Sequence, residues 1–450
     1  MTEKIKISIS GVRGIIGEGL DGRMTTSLAS AFGQSLNGKP VVVGRDARPT
    51  GPQMRLAVLA GLAFSGNDVI DIGLVPTPTV GLMVKHLGAG GGIQISASHN
   101  PVEWNALKFF NDKGFFLNEE DFNRFMEFYK GGDFGKATWD RLGQLETRDD
   151  AIDIHIDRVL KFVDIEAIRA RRLKVVVDGC RSVGGLILPR LLEQLGCEVI
   201  RLDCAADGQF TRPLEPTPAH LGGLCEKVKE TGADVGFAAD PDADRLAMVS
   251  EKGLPLGEDF SLALTADYIA GKTGSDIVTN LSTTMSLDDI AKKHGVKIYR
   301  TKVGEAHVVQ GILEHGAKIG GEGNGGVIVP EVHPGRDAAI GTAVLCELMA
   351  TRGKGKTISE IAAEIPLYHI VKDKVPAGEY DAGGIEKALS EKFGPPTVDR
   401  TEGLKMVWED SWVHLRPSNT EPIIRIIAEA RQLDKANQIC RLTRDLLCGQ

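Results

Sequence analysis

Four short stretches of this 450-residue chain hold residue types that can do chemistry. Ser96-Ala97-Ser98-His99-Asn100-Pro101 follows the apolar run Gly92-Ile93-Gln94-Ile95, so it reads as a loop leaving a strand end with the Ser98 hydroxyl presented at its centre. Ser98 lacks the flanking glycines of a hydrolase nucleophile elbow, which argues against an activated triad serine. Asp240-Pro241-Asp242-Ala243-Asp244-Arg245 sets three carboxylates at alternate positions of a turn. Three hard oxygen donors with no His or Cys beside them suit Mg2+ before Zn2+. An EF-hand is excluded, because Arg245 stands at the sixth position where that loop requires Gly. An Asp-x-Asp at a strand end also fits a phosphatase with Asp240 as nucleophile and Asp242 as acid, and a solvated acidic turn is the plainest alternative.

The third stretch, Gly321-Glu322-Gly323-Asn324-Gly325-Gly326, matches G-x-G-x-x-G, yet Val327-Ile328-Val329-Pro330 follows it. A dinucleotide loop must open a helix whose N-terminus holds the pyrophosphate, and this run opens none. Glu322 and Asn324 can instead accept from and donate to vicinal hydroxyls or an amine. Gly271-Lys272-Thr273 ends like a P-loop, but Ala266 stands where the first glycine is needed. The fourth stretch, Arg416-Pro417-Ser418-Asn419-Thr420, with Arg425 beyond it, combines guanidiniums, hydroxyls, an amide and turn N–H groups into an anion cradle suited to phosphate. Surface ion pairs would account for the arginines but not for the hydroxyls between them.

The elements around these loops repeat. Strands at 40–43, 68–72 and 92–95 alternate with helices at 51–66 and 77–87, a β-α-β-α-β unit with parallel strands. The order recurs at 173–177, 185–195, 197–202, 217–230 and 234–238, and more faintly at 276–279, 286–294, 296–299, 304–314 and 317–320. A Pro-Thr-Pro triplet introduces the second helix in the first two copies, at Pro76-Thr77-Pro78 and Pro216-Thr217-Pro218. Ligands of open parallel sheets bind outside the carboxyl ends of the strands, so three polar loops at equivalent strand ends are expected to meet in one cleft. The last segment differs: 404–408, 412–415 and 423–429 read as antiparallel strands beside helices near 383–392 and 433–447. The stretch from 363 to 375, with Pro366, is the expected linker. The opening segment alternates and then carries Ser10-Gly11-Val12-Arg13-Gly14, a strand broken by a glycine-flanked arginine.

With 42% hydrophobic and 25% charged residues the chain is ordinary globular protein, and its length suggests about three domains. Its 54 glycines point to many tight loops. A net charge of −8 without a long basic run argues against nucleic acid and anionic membrane surfaces. Seven cysteines without a C-x-x-C pair argue for a reducing compartment and against a disulfide framework or zinc site. No apolar run approaches a membrane span or leader, so a cytoplasmic location is expected.

The four loops, in this order, closely resemble the α-D-phosphohexomutase superfamily, and the resemblance covers essentially the whole chain. It implies an α/β protein of four domains around a central cleft: three repeated mixed α/β domains at 1–152, 153–252 and 253–368, then a smaller α+β domain at 369–450. By resemblance Ser98 is a phosphoserine; Asp240, Asp242 and Asp244 hold Mg2+ with the Ser98 phosphate; Arg13 matches the early family arginine; and Lys108, with His99 as the second candidate, handles the hydroxyl proton. Arg245, Lys302, Glu322, Asn324, Arg416, Ser418, Asn419, Thr420 and Arg425 are then the substrate-binding set. The implied activity is interconversion of hexose 6-phosphate and hexose 1-phosphate through a hexose 1,6-bisphosphate, which also serves as activator, in a monomer or homodimer. The opening and the sugar loop are most similar to phosphoglucosamine mutases or phosphomannomutase/phosphoglucomutase members, with glucosamine phosphate ranked first. Many bacterial members end the sugar loop with Ser-Gly-His where this chain has Asn324-Gly325-Gly326, so His333 or Lys108 is the candidate replacement for that histidine. A sugar phosphatase using Asp240 and a non-catalytic sugar-phosphate sensor are the remaining alternatives.

Overall fold

The computed structural model describes residues 4–418 and 423–449. Among them no helix is long and apolar enough to cross a membrane. The described chain forms two compact units, one of residues 4–265 with Asn324–Ala362, the other of Ala266–Gly323 with the residues from Ala363 onward.

In the first unit the expected parallel β-α-β-α-β order is present. Gly91–Ile95, Val41–Arg45, Val69–Leu74 and Leu145–Thr147 lie side by side in parallel. The run Val41-Val42-Val43 is buried on both faces, as the central strands of a helix-covered parallel sheet must be. Three further strands, Trp104–Phe110, Gly11–Ile15 and Ile5–Ser8, extend this sheet antiparallel. The broken strand at Gly11 is thus a hairpin. A Cβ at Gly11, whose φ is +115°, would stand 2.3 Å from the Leu107 carbonyl oxygen, so only glycine brings the Arg13 strand this close to the Lys108 strand. A second sheet holds Lys174–Asp178, Glu198–Leu202 and Val235–Ala239 in parallel, with Leu246–Ser250 antiparallel at its edge.

The two Pro-Thr-Pro triplets fold differently. The first opens the helix Thr77–Leu87, closed by Gly88 in the left-handed region. The second makes only a short 3-10 turn, Pro218–His220, held by Thr217 to the His220 ring, and the helix waits until Gly222–Thr231.

In the second unit Ile298–Thr301, Ile277–Asn280 and Ile319–Glu322 run parallel. The C-terminal sheet is wholly antiparallel and carries the helices Ala382–Phe393 and Leu433–Leu447. The expected linker is in part wrong: His369–Pro376 is the edge strand of this sheet, paired with Ile423–Ala430. Its proline sits at the strand end on the edge, where no ladder N–H is needed. Buried polar groups join the two segments of the unit. Lys405 Nζ donates to the Leu281 carbonyl at 2.5 Å, and Glu429 accepts from Met285 N–H at 2.8 Å and from Trp412 Nε1 at 2.5 Å. His414 completes the seam, its Nε2 donating to the Glu402 carbonyl at 2.7 Å and its Nδ1 meeting Ser282 Oγ at 2.9 Å.

That arrangement needs a neutral His414, whose pKa burial pushes down to about 4, although the bond to the Glu402 carbonyl opposes the shift. The unfolded imidazole titrates near 6.5, so stability from this group is complete above that pH and is lost as pH falls toward 4. The loss should reach about 3 kcal/mol. Urea unfolding between pH 7.5 and 4.5 should show a steeper fall for the parent than for His414→Gln, and parallel curves would contradict the assignment.

Candidate active site

In the first unit the serine and carboxylate loops come together as their strand ends predict. Ser98 follows Gly91–Ile95 and Asp240 follows Val235–Ala239. Both loops bend through a non-glycine residue in the left-handed region, Ser98 at φ +51° and Ala243 at φ +52°, an uncommon conformation that clusters at functional sites. Ser98 Oγ donates to Asp240 Oδ2 at 2.6 Å, across 142 residues of sequence. His99 Nδ1 lies 3.4 Å from the same hydroxyl.

Asp240, Asp242 and Asp244 are all buried, with carboxylate oxygens within 4.8 Å of one another. Burial and the two neighbouring carboxylates push Asp240 well above the usual carboxylate range, against the pull of Arg245. Burial acts the same way on Asp242, yet the Lys108 ammonium and the Thr77 hydroxyl hold it well below that range. Lys108, on the strand Trp104–Phe110, donates to Asp242 at 2.6 Å and stands 3.6 Å from Asp244. Burial would lower its pKa, but Asp242 and Asp244 outweigh burial and raise it. Arg336 pairs with Asp244 at 2.7 Å, and Arg245 reaches Glu215 at 2.7 Å. The first turn of the helix Ala338–Ala350 touches the same loop, Ala338 N–H donating to the Ala243 carbonyl at 3.2 Å. Asp242 Oδ1 and Asp244 Oδ1 are buried and accept no hydrogen bond. Two orphaned acceptors in an all-oxygen set fit a hard divalent cation such as Mg2+.

Arg13 lies beside this cluster, bonded to Asn100 Oδ1 at 3.1 Å, its pKa lowered by burial and by Arg245. His99 is pushed down to about 2 by burial and by Arg245 and Arg13, so it is neutral and a poor proton acceptor. His333 is not part of the cluster. It is buried, and its charged neighbours are Asp337, His155, Lys85 and Arg158, so of the two proposed histidine replacements only Lys108 reaches the carboxylates.

The remaining candidates divide between the units. Asn324, in the first, folds its amide oxygen onto Gly326 N–H at 3.2 Å, while Gly325 accepts from Leu246 N–H at 2.9 Å. In the second, Glu322 ends its strand buried and accepts from Asn280 Nδ2 at 2.8 Å and Gly304 N–H at 3.1 Å. Lys302 lines a cavity of about 280 Å³ with Tyr299 and His307. Arg416 and Arg425 face each other in register on neighbouring strands. Like charges directly opposed are unfavourable unless an anion joins them. Arg425 Nε lies 3.5 Å from Ser418 Oγ, and Arg416 lies 3.5 Å from Glu402. Asn419 and Thr420 lie outside the described residues.

Sequence reading passed over Asp46, Arg48, Thr77, Ser182 and Arg336. Asp46 and Arg48 sit just past the carboxyl end of Val41–Arg45, the parallel neighbour of the strand that leads to Ser98, and that position was the available signal.

Family models for phosphoglucomutase/phosphomannomutase match along the chain: alpha/beta/alpha domain I at residues 4–136, domain II at 153–253, domain III at 258–368 and the C-terminal domain at 371–446. A Thermococcus kodakarensis protein named "Phosphoglucomutase/phosphomannomutase" is 41% identical over 97% of each chain. A Methanopyrus kandleri protein named "Probable phosphoglucosamine mutase" is 36% identical over 96% of this chain and 95% of its own. The crystal structure of a phosphoglucomutase/phosphomannomutase family protein from Burkholderia thailandensis superposes with a TM-score of 0.84 at 28% identity, covering 98% of each chain. Fold and site together define a phosphohexomutase, an isomerase acting by intramolecular phosphotransfer. The chain belongs to the phosphoglucomutase/phosphomannomutase family.

Cation binding to the orphaned carboxylates should appear as stabilisation. Mg2+ at a hundred times its dissociation constant should raise the unfolding free energy by about 2.7 kcal/mol. In a thermal-shift titration Asp244→Asn should lose most of that gain, and an equal gain in parent and variant would place the cation elsewhere.

Proposed function

We propose that this protein interconverts hexose 6-phosphate and hexose 1-phosphate through a phosphoserine at position 98 and a hexose 1,6-bisphosphate intermediate. The observation that carries the reading is the Ser98 hydroxyl 2.6 Å from Asp240 inside a buried three-carboxylate cluster. Asp240, Asp242 and Asp244 would hold Mg2+, which supplies charge neutralisation on the phosphoryl group when bound.

In the forward half-reaction a sugar hydroxyl oxygen attacks the phosphorus on Ser98. The P–Oγ bond breaks with its electron pair left on the Ser98 oxygen, and Lys108, the ammonium beside Asp242, relays the proton: it gives one to that oxygen and takes the sugar hydroxyl's proton in return. The bisphosphate then turns end for end and returns its other phosphate to Ser98. Arg13 and Arg245 face the transferring charge. Glu322 and Asn324 orient the sugar hydroxyls, and Lys302, Arg416, Ser418, Asn419, Thr420 and Arg425 grip the phosphate that is not reacting. The register of Arg416 and Arg425 supports that role, because two guanidiniums on one face of neighbouring strands can both donate to one phosphate. The site residues are contributed by four domains, 1–152, 153–252, 253–368 and 369–450, a division supported by the residues the family models match.

Glucosamine phosphate heads the candidate substrates, since the Glu322 carboxylate can pair with a 2-ammonium group. The 41% identical relative, named for glucose and mannose phosphates, favours a second reading of relaxed specificity, in which Glu322 accepts from the 3- and 4-hydroxyls common to all three sugars. Coupled assays with the three sugar phosphates should give the highest kcat/KM for glucosamine phosphate; a ratio favouring glucose or mannose phosphate would overturn the ranking.

Intact mass of the purified protein should show a species heavier by one phosphate that is absent from Ser98→Ala. Dephosphorylated protein should regain turnover when supplied with a hexose 1,6-bisphosphate. Substantial mutase activity in Ser98→Ala would refute the phosphoserine. Stoichiometric release of inorganic phosphate without isomer formation would identify a phosphatase using Asp240.

A further inference from the structure

We propose that Arg48 is the positioning residue for Ser98, an inference that rests on the phosphoserine reading above. Arg48 is fully buried and its guanidinium spans four carbonyls of the serine loop. One terminal nitrogen donates to Ser98 O at 2.6 Å and Asn100 O at 2.5 Å, the other to Pro101 O at 2.7 Å and Trp104 O at 2.9 Å. Asp46, equally buried, lies 3.4 Å from Arg48 Nε and accepts from Arg48 N–H at 2.9 Å. Its second oxygen accepts from Ser96 Oγ at 2.6 Å, and Ser96 Oγ in turn accepts from Ser98 N–H at 2.9 Å.

The carbonyl of Ser98 is therefore fixed by Arg48 and its N–H, through Ser96, by Asp46. Together they hold a serine at φ +51°, a backbone conformation that serine alone does not favour. The same turn is tied to the carboxylate loop: Ala47 N–H donates to Ser182 Oγ at 3.2 Å, and Ser182 Oγ donates to the Pro241 carbonyl at 2.5 Å. One short segment, Asp46 to Arg48, thus gauges the separation of Ser98 Oγ from the carboxylates. Lysine cannot replace this arrangement, since an ammonium lacks the planar fork that reaches four acceptors at once.

Arg48→Lys and the milder Ser96→Ala test the assignment, with Arg55→Ala, which removes an ion pair to Asp71 elsewhere in the same sheet, as the control. Hydrogen exchange at residues 98–100 should accelerate about tenfold or more in Arg48→Lys and Ser96→Ala and stay unchanged in Arg55→Ala. For Arg48→Lys, kcat and the single-turnover transfer from a hexose 1,6-bisphosphate to dephosphorylated Ser98 should fall about a hundredfold, the usual effect of misplacing a reacting group. KM should stay within about threefold, because the Arg48 guanidinium spends its hydrogen bonds on backbone carbonyls of the serine loop. Ser96→Ala should lose about tenfold in kcat. Unchanged exchange at residues 98–100 in both variants would overturn the proposal, and so would raised exchange with parental kcat or a KM rising in step with the loss. Should the parent interconvert no hexose phosphate, the phosphoserine reading fails on its own, and the exchange comparison still decides whether Arg48 holds Ser98.

Discussion

Three carboxylates with oxygens within 4.8 Å of one another, all buried, are the constraint around which the first unit is assembled. Isolated charges of one sign in such a place are prohibitively unfavourable, and burying them requires counter-charges and donors of good geometry. The fold collects these from separate parts of the chain: Lys108 from a strand of the first sheet, Thr77 from a helix start, Arg336 from the turn before Ala338–Ala350, and Ser98 from its loop. Even so two oxygens remain unsatisfied, and Asp240 is displaced toward its protonated form. A cluster compensated to this degree and no further is built for an added positive charge, which is why sheet, helix start and loop geometry all bear on the same few ångströms.

Much of this was legible in the sequence. The parallel repeats were readable because buried strands such as Val41-Val42-Val43 and Val175-Val176-Val177 are continuous β-branched runs, the helices Thr77–Leu87 and Ser286–His294 stop at Gly88 and Gly295, and Leu433–Leu447 buries Ala436, Ile439, Cys440 and Thr443 at helical spacing. Ser98 and the aspartates were readable because turn formers and charges at strand ends have few structural uses. The antiparallel strands Trp104–Phe110 and Leu246–Ser250 were not read, since each runs back beside the preceding strand directly after a functional loop, and the loop drew attention away from the strand. His369–Pro376 was mistaken for a linker because Pro366 stands just before it and its own charged residues, Lys372, Asp373 and Lys374, are ones an edge strand tolerates. Arg48 escaped because its meaning lies in four carbonyls 50 to 56 residues away, and backbone acceptors leave no mark in a sequence.

The second unit obeys a different logic. Its seam is polar and buried: Lys405 against a backbone carbonyl, Glu429 between a backbone N–H and an indole, His414 between a hydroxyl and a carbonyl. Burial drives the Lys405 pKa well down, with nearby Arg300 adding to the effect, so the ammonium is disfavoured where it packs over the Trp412 ring. Directional contacts of this kind specify one way of fitting the two segments together where an apolar seam would permit sliding.

The two segments that meet at this seam, Ala266–Gly323 and the residues from Ala363 onward, are separated in the chain by a stretch belonging to the other unit. On the ribosome the first segment emerges well before its partner is made. Until then the Leu281 carbonyl and the N–H groups of Met285 and Val303 lack the acceptors and donors they have in the finished protein. Synthesis order thus makes the final eighty or so residues the completing step of an earlier domain, so a chain cut short after Ala362 leaves the second unit with only its first segment and no seam.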